Sequence, residues 1–137
     1  MENKRKEMLT VLLADDEDRF RQATRRQLEV RGFRVIEAVN GKEAIAILNH
    51  ENPDVIVLDQ KMPVMDGIQA FIEIKKINPL IEVIMLAGQA TVETALKIMK
   101  LGAFDYIMKP LNIDELLYKI EDAYTKRFLA EEKLKNQ

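Results

Sequence analysis

Four acids in a row, Asp15, Asp16, Glu17 and Asp18, follow directly on the apolar run VLLA at residues 11–14. Adjacent carboxylates repel one another, and at least one must take up a proton unless a positive charge sits among them. Two distant residues complement this cluster: Asp59 closes the run DVIVLD (54–59), and Lys109 follows FDYIM (104–108) just before Pro110. A hard divalent cation would remove the repulsion among Asp15, Asp16 and Asp59. Mg²⁺ suits such a set, because it takes few carboxylates, keeps several waters and leaves a position for a phosphate oxygen. Lys109 adds a mobile positive charge opposite the metal. A carboxylate flanked by a metal and an ammonium is equipped to attack phosphorus, and the product is an aspartyl phosphate. Asp59 is the candidate nucleophile.

That chemistry requires residues far apart in sequence to meet. The runs MLTVLLA (8–14), RVIEA (34–38), DVIVLD (54–59), IEVIMLA (81–87) and FDYIM (104–108) are short and rich in β-branched residues. The middle runs are apolar on both faces, as in strands of a parallel sheet covered on both sides. Helical patterns lie between them. Phe20, Ala23, Thr24, Gln27, Leu28 and Arg31 recur at three- and four-residue steps before Gly32. Asn40 caps a segment carrying Ala44, Ile45, Ile47 and Leu48, while Ile68, Phe71, Ile72 and Lys75 mark a third helix. Thr91 caps a fourth with Ala95, Ile98 and Met99 inward, and Asn112 opens a fifth through Leu116, Leu117, Ile120, Ala123 and Tyr124. Small polar residues suit these starts because their side chains accept from free backbone N–H groups. Five βα units in this order predict an α/β fold, a parallel sheet with right-handed crossovers and helices on both faces. Ligands bind at the carboxyl ends of such strands, where Asp15, Asp16, Asp59 and Lys109 all fall. The second strand contributes no chemistry there and is expected at an edge.

Simpler roles apply to several neighbours. Glu17 and Asp18 are read as N-cap and helix-dipole partners, and Asp66 as the cap of the third helix. Pro63 and Gly67 fix the course of the loop QKMPVMDG after Asp59. Met62, Met65, Met85, Met99 and Met108 are read as core fill, and His50, the sole histidine, as solvated.

The chain has 137 residues, 47% hydrophobic and 32% charged, with a net charge of -2. This balance gives no electrostatic reason to expect nucleic acid or an anionic membrane as partner. No cysteine is present, which removes disulfides, thiolate metal sites and cysteine nucleophiles. The charged start MENKRKEM lacks the apolar stretch of a signal peptide, and a cytoplasmic location is expected.

The set ADD (14–16), LDQKMPVMDG (58–67), VIMLAGQ (83–89) and FDYIMKP (104–110) resembles the receiver domain of two-component response regulators, over roughly residues 8–125. The resemblance implies a flavodoxin-like (βα)₅ fold with strand order 2-1-3-4-5. It implies that Asp59 accepts a phosphoryl group from a histidine kinase, a phosphotransfer protein or a small phosphodonor. Mg²⁺, with Mn²⁺ able to substitute, is then held by Asp16, Asp59 and the backbone carbonyl of Lys61, with Asp15 acting partly through water. Lys109 pairs with the phosphoryl group, and its bond to Pro110 is expected to be cis. Tyr106 takes the place of the aromatic switch residue, and Lys61 and Gln89 fall where relatives tune phosphate lifetime. Ala87 departs from the pattern, since receivers nearly always carry Thr or Ser there. Its missing hydroxyl would bond a phosphoryl oxygen, so the coupling to Tyr106 is expected to be altered.

The receiver is placed at residues 1–125 and a continuation of the last helix, tail or linker, at 126–137. The surface of the fourth helix, fifth strand and fifth helix is where a homodimer or output partner would dock. Two other functions compete with the receiver reading. One is a degenerate receiver that docks partners without phosphate. The other is a phosphatase of the haloacid dehalogenase type, which the lack of a second Asp two residues after Asp15 and of room for a cap domain disfavours.

Overall fold

The structure is a computed structural model that describes residues 9–88 and 91–136. The elements alternate as β1 (Thr10–Ala14), α1 (Asp18–Val30), β2 (Arg34–Ala38), α2 (Gly41–Ile47), β3 (Val55–Asp59), α3 (Gly67–Ile77), β4 (Glu82–Ala87), α4 (Val92–Lys100), β5 (Asp105–Met108) and α5 (Ile113–Lys135). The strands form one parallel sheet in the order β2-β1-β3-β4-β5. This is the flavodoxin-type arrangement, with β2 at the edge.

Side-chain alternation divides the core into two layers. Val11, Leu13, Val55, Val57, Ile84, Leu86 and Ile107 face a layer closed by Leu28 of α1 and by Leu116, Ile120 and Ala123 of α5. Leu12, Ile56, Leu58, Val83 and Met85 face the other, closed by Ala44 of α2, by Phe71 and Ile74 of α3 and by Ile98 of α4. β3 and β4 are buried along their whole length, which is why their sequences do not alternate. The helix starts follow the caps: Asn40, Asp66, Thr91 and Asn112 each accept from the backbone N–H three residues on.

One expectation about packing needs correction. Met62 and Met85 are buried, but Met99 and Met108 are 40% and 44% exposed. Met99 lies on the outer side of α4, and Met108 ends the edge strand β5, so neither has a layer above it. His50 is exposed beyond the end of α2. α5 continues without a break to Lys135, and its contacts with the domain run past residue 125. The buried Arg127 donates from Nη1 to the carbonyl of Pro53 at 2.8 Å and to that of Asp54 at 3.3 Å. Phe128 packs on the core layer beside Tyr124. Among the described residues no helix is long and apolar enough to cross a membrane.

Candidate functional site

The register of the sheet brings the strand ends to one rim. Ala14 lies beside Ala38 and Leu58, Asp59 beside Leu86, and Ala87 beside Met108. Asp15, Asp59 and Lys109 keep the alternation of Leu13, Val57 and Ile107 and emerge on the α1–α5 side. Lys109 Nζ lies 2.8 Å from Asp15 Oδ2, 3.0 Å from Glu17 Oε1 and 3.5 Å from Asp59 Oδ2. The same ammonium rests 4.2 Å from the centroid of the Phe20 ring, whose electron-rich face attracts a cation. The cluster opens into a cavity of about 800 Å³ lined by Asp16, Glu17, Asp59, Lys61, Gly88 and Lys109, among others.

Asp15 is fully buried and Asp59 is 4% exposed. Burial and the nearby charge of Asp15 push the Asp59 carboxyl up to about 6, against the pull of Lys109 and a hydrogen bond from the Lys61 backbone. Burial alone would lower the Lys109 pKa. Its hydrogen bonds to Asp15 and Glu17 and the charges of Asp59 and Asp15 outweigh that, so the value is raised.

One carboxylate oxygen from each of Asp15, Glu17 and Asp59 lies within 4.8 Å of the others. Three hard, anionic oxygen donors against one ammonium fit a small divalent cation such as Mg²⁺. Glu17 is therefore a member of the cluster that the sequence reading assigned to capping. It occupies the N-cap position of α1 but makes no side-chain cap bond, because its carboxylate turns to Lys109. Asp16 stands outside the tight group; its exposed side chain lines the cavity. Asp18 does begin α1, where it pairs with Arg21 at 2.8 Å.

Protonation of Asp59 competes with a cation in this arrangement. Mg²⁺ affinity is expected to be flat above pH 6 and to weaken about tenfold per pH unit below it. Calorimetric titration at several pH values measures this, and a flat response down to pH 5 would contradict it.

The loop after Asp59 is tightly built. The carbonyl of Pro63 accepts from Met65 N at 2.7 Å across Val64, which has φ 70°. This is a γ-turn at an exposed β-branched residue, a conformation with a steric cost. Gly67 N donates to the Gln60 carbonyl at 2.8 Å, and Asp66 caps α3 through Gln69 N at 2.8 Å. The Lys109–Pro110 peptide is cis. Ala87 is fully buried, and its carbonyl accepts from Lys109 N at 2.9 Å. Tyr106 is half-buried against the α2–α3–α4 layer, and Gln89 lies outside the described residues.

The parallel (βα)₅ sheet thus gathers two buried carboxylates and one lysine at its carboxyl rim. The family model described as "Response regulator receiver domain" matches residues 11–121, and the chain belongs to that family. It is 39% identical over 106 residues to the regulatory protein AtoC of Escherichia coli, covering 77% of this chain and 23% of that protein. It is 38% identical over 119 residues to a cyclic di-GMP phosphodiesterase of Thermotoga maritima, covering 87% and 32%. The chain thus spans between about a quarter and a third of these relatives. Among solved structures it is similar to the receiver domain of Francisella response regulator 1452, with TM-score 0.81 and 35% identity over 87% of this chain and 98% of that one. A response regulator receiver domain protein from Clostridium thermocellum gives TM-score 0.85 and 34% identity over 90% and 99%. Receiver domains are components of two-component signalling that pair with histidine kinases.

Proposed function

We propose that Asp59 is the phosphoacceptor of this receiver, taking its phosphoryl group from a histidine kinase or phosphotransfer protein in a Mg²⁺-dependent reaction. The observation that carries the reading is the half-buried Lys109 ammonium within hydrogen-bond range of both Asp15 and Asp59 beside an open cavity. A carboxylate oxygen of Asp59 attacks phosphorus while the bond to the donor nitrogen breaks. Lys109 stabilises charge on the phosphoryl oxygens. Asp59, the Lys61 carbonyl and Asp16 from the cavity wall would hold Mg²⁺, with Asp15 acting partly through water and Glu17 adding its charge to the cluster. The ion would supply a second positive charge to the same oxygens. Lys61 and Gln89 stand at the sequence positions assigned in this reading to setting phosphate lifetime.

Intact mass after incubation with a small phosphodonor, with and without Mg²⁺, tests this. A single phosphoryl adduct that needs Mg²⁺ and is lost in Asp59→Asn supports it. No adduct in a folded chain, with hydrolysis shown too slow to hide one, favours a docking module that works without phosphate.

Coupling to output is the second part of the proposal. A hydrogen bond to a charged group is worth about 1.5–3 kcal/mol, and allosteric couplings are about 1–3 kcal/mol. A missing hydroxyl at Ala87 is therefore comparable with the whole switch, and phosphate is coupled weakly to Tyr106. Ala87→Thr is expected to enlarge the phosphorylation-dependent shift of the Tyr106 ring resonances in NMR spectra. An unchanged response would rule this out. Val92, Leu96 and Met99 on α4, Met108 on β5 and Tyr118 on α5 are exposed and supply the apolar surface on which a homodimer or output partner docks. The part of α5 beyond Phe128 then serves as the start of a linker to that output.

A further inference from the structure

We infer that Arg21 is a positioning residue for the acid cluster and, through it, for the divalent cation; this rests on the phosphoacceptor reading. The difficulty set by the sequence is how Asp15 and Asp16 keep one orientation inside a run of four acids. Every polar group of Asp15 has a partner. Its N–H donates to the Ala38 carbonyl at 3.0 Å. Its Oδ1 accepts from Glu17 N at 2.8 Å and its Oδ2 from Lys109 at 2.8 Å. Its backbone carbonyl accepts from Arg21 Nη1 at 2.7 Å. That last bond fixes the peptide between Asp15 and Asp16, and so the direction in which both side chains leave the backbone.

The guanidinium that makes it is itself immobilised. Arg21 is only 6% exposed. Its Nε donates to Glu37 Oε1 at 2.7 Å and its Nη2 to Asp18 Oδ1 at 2.8 Å. Glu37 belongs to β2 and is also held by Arg25. One planar fork thus joins α1, the edge strand and the rim loop. A buried guanidinium is retained only when its donors are satisfied, and here one donor is spent on the carbonyl of a cluster residue. An ammonium, as a point charge, could not reach all three acceptors in these directions. Arg21 touches none of the clustered carboxylates of Asp15, Glu17 or Asp59, so its effect on the cation is through geometry.

Partners that orient metal ligands typically change metal affinity about 10–100-fold when removed. Mg²⁺ titration of the full chain by calorimetry is therefore expected to show binding weakened about tenfold or more in both Arg21→Met and Arg21→Lys. The phosphorylation rate of both variants is expected to fall most at limiting Mg²⁺ and to recover in part at saturating Mg²⁺. Arg127→Met is the control: it removes another buried arginine that holds backbone carbonyls, at the opposite end of the sheet. It is expected to lower the melting temperature and leave the Mg²⁺ constant unchanged. Folded Arg21 variants that bind Mg²⁺ within twofold of the unmodified chain would overturn the inference. If Arg21→Met does not fold, Arg21→Lys, which keeps the charge, decides alone. Failure of the unmodified chain to bind Mg²⁺ defeats the phosphoacceptor reading as well, and so is distinguishable.

Discussion

Asp59→Asn is expected to raise the melting temperature of the metal-free protein by several degrees while abolishing phosphoryl acceptance. The ionised Asp59 carboxylate is buried beside Asp15, and its pKa is raised from 3.8 to about 6. At about 1.4 kcal/mol per pH unit, holding this charge costs the fold up to about 3 kcal/mol. Because the folded value lies above the unfolded one, the cost is present in full above pH 6. It disappears as the pH falls through 6 toward 3.8, where both states bind the proton. The stabilisation by Asn must follow the same course, large at pH 7.5 and absent near pH 4. About 1 kcal/mol corresponds to roughly 2–8 °C for domains of this size range, so thermal unfolding in chelator resolves it. An Asn variant that melts below the unmodified protein at pH 7.5 would show that Asp59 carries no such strain. Functional sites commonly hold strain of this kind.

Gly67→Ala has the largest expected structural effect. A Cβ at this position would stand 2.1 Å from the Asp59 carbonyl oxygen, 2.7 Å from Gln60 Cα and 2.9 Å from Asp59 C. All three neighbours are backbone, so no rotamer change relieves the overlap. Overpacking typically costs about 1–3 kcal/mol, and a clash against a buried strand end belongs at or above the top of that range. A melting temperature about ten degrees lower is expected. The first turn of α3 and the end of β3 must separate, which moves Asp59 itself. Displacement by about 1 Å can cost about 100-fold in rate, so phosphorylation should fall more steeply than stability alone requires. Gly88→Ala is the comparison, since a Cβ there meets nothing within 4 Å and should change stability by less than about 0.5 kcal/mol. A Gly67→Ala protein that melts within two degrees of the unmodified chain would contradict this account of the β3–α3 junction.

The strands and caps were legible because they rest on local rules. Asn40, Asp66, Thr91 and Asn112 sit where a short polar side chain can accept from a free N–H, and each does so. The meeting of Asp15, Asp59 and Lys109 was legible for a different reason: each follows directly on a strand, and a parallel sheet sends all strand ends to one rim. Glu17 was misread because an acid before a helix most often serves the helix. Nothing local shows that a lysine 92 residues away claims its carboxylate. Arg21 gave no signal at all. Its meaning depends on Glu37 of the edge strand and on a backbone carbonyl, and hydropathy patterns record neither. Met99 and Met108 illustrate the opposite limit, since helical or strand spacing does not say whether a second layer covers that face. Arg127 and Phe128 lie in a charged stretch that reads equally as a tail or as a helix continuing toward a partner or linker. The contacts that bind them come from the loop before β3 and from the α1–α5 layer.

The most direct test of the central claim is to locate the phosphoryl group. Reduction of the phosphorylated chain with borohydride converts an aspartyl phosphate to homoserine, which peptide mass mapping assigns to one position. The account predicts homoserine at position 59, formed only when Mg²⁺ was present during phosphorylation. Homoserine at position 15 or 16, or a phosphoryl group that resists reduction and maps to another residue such as His50, would contradict it.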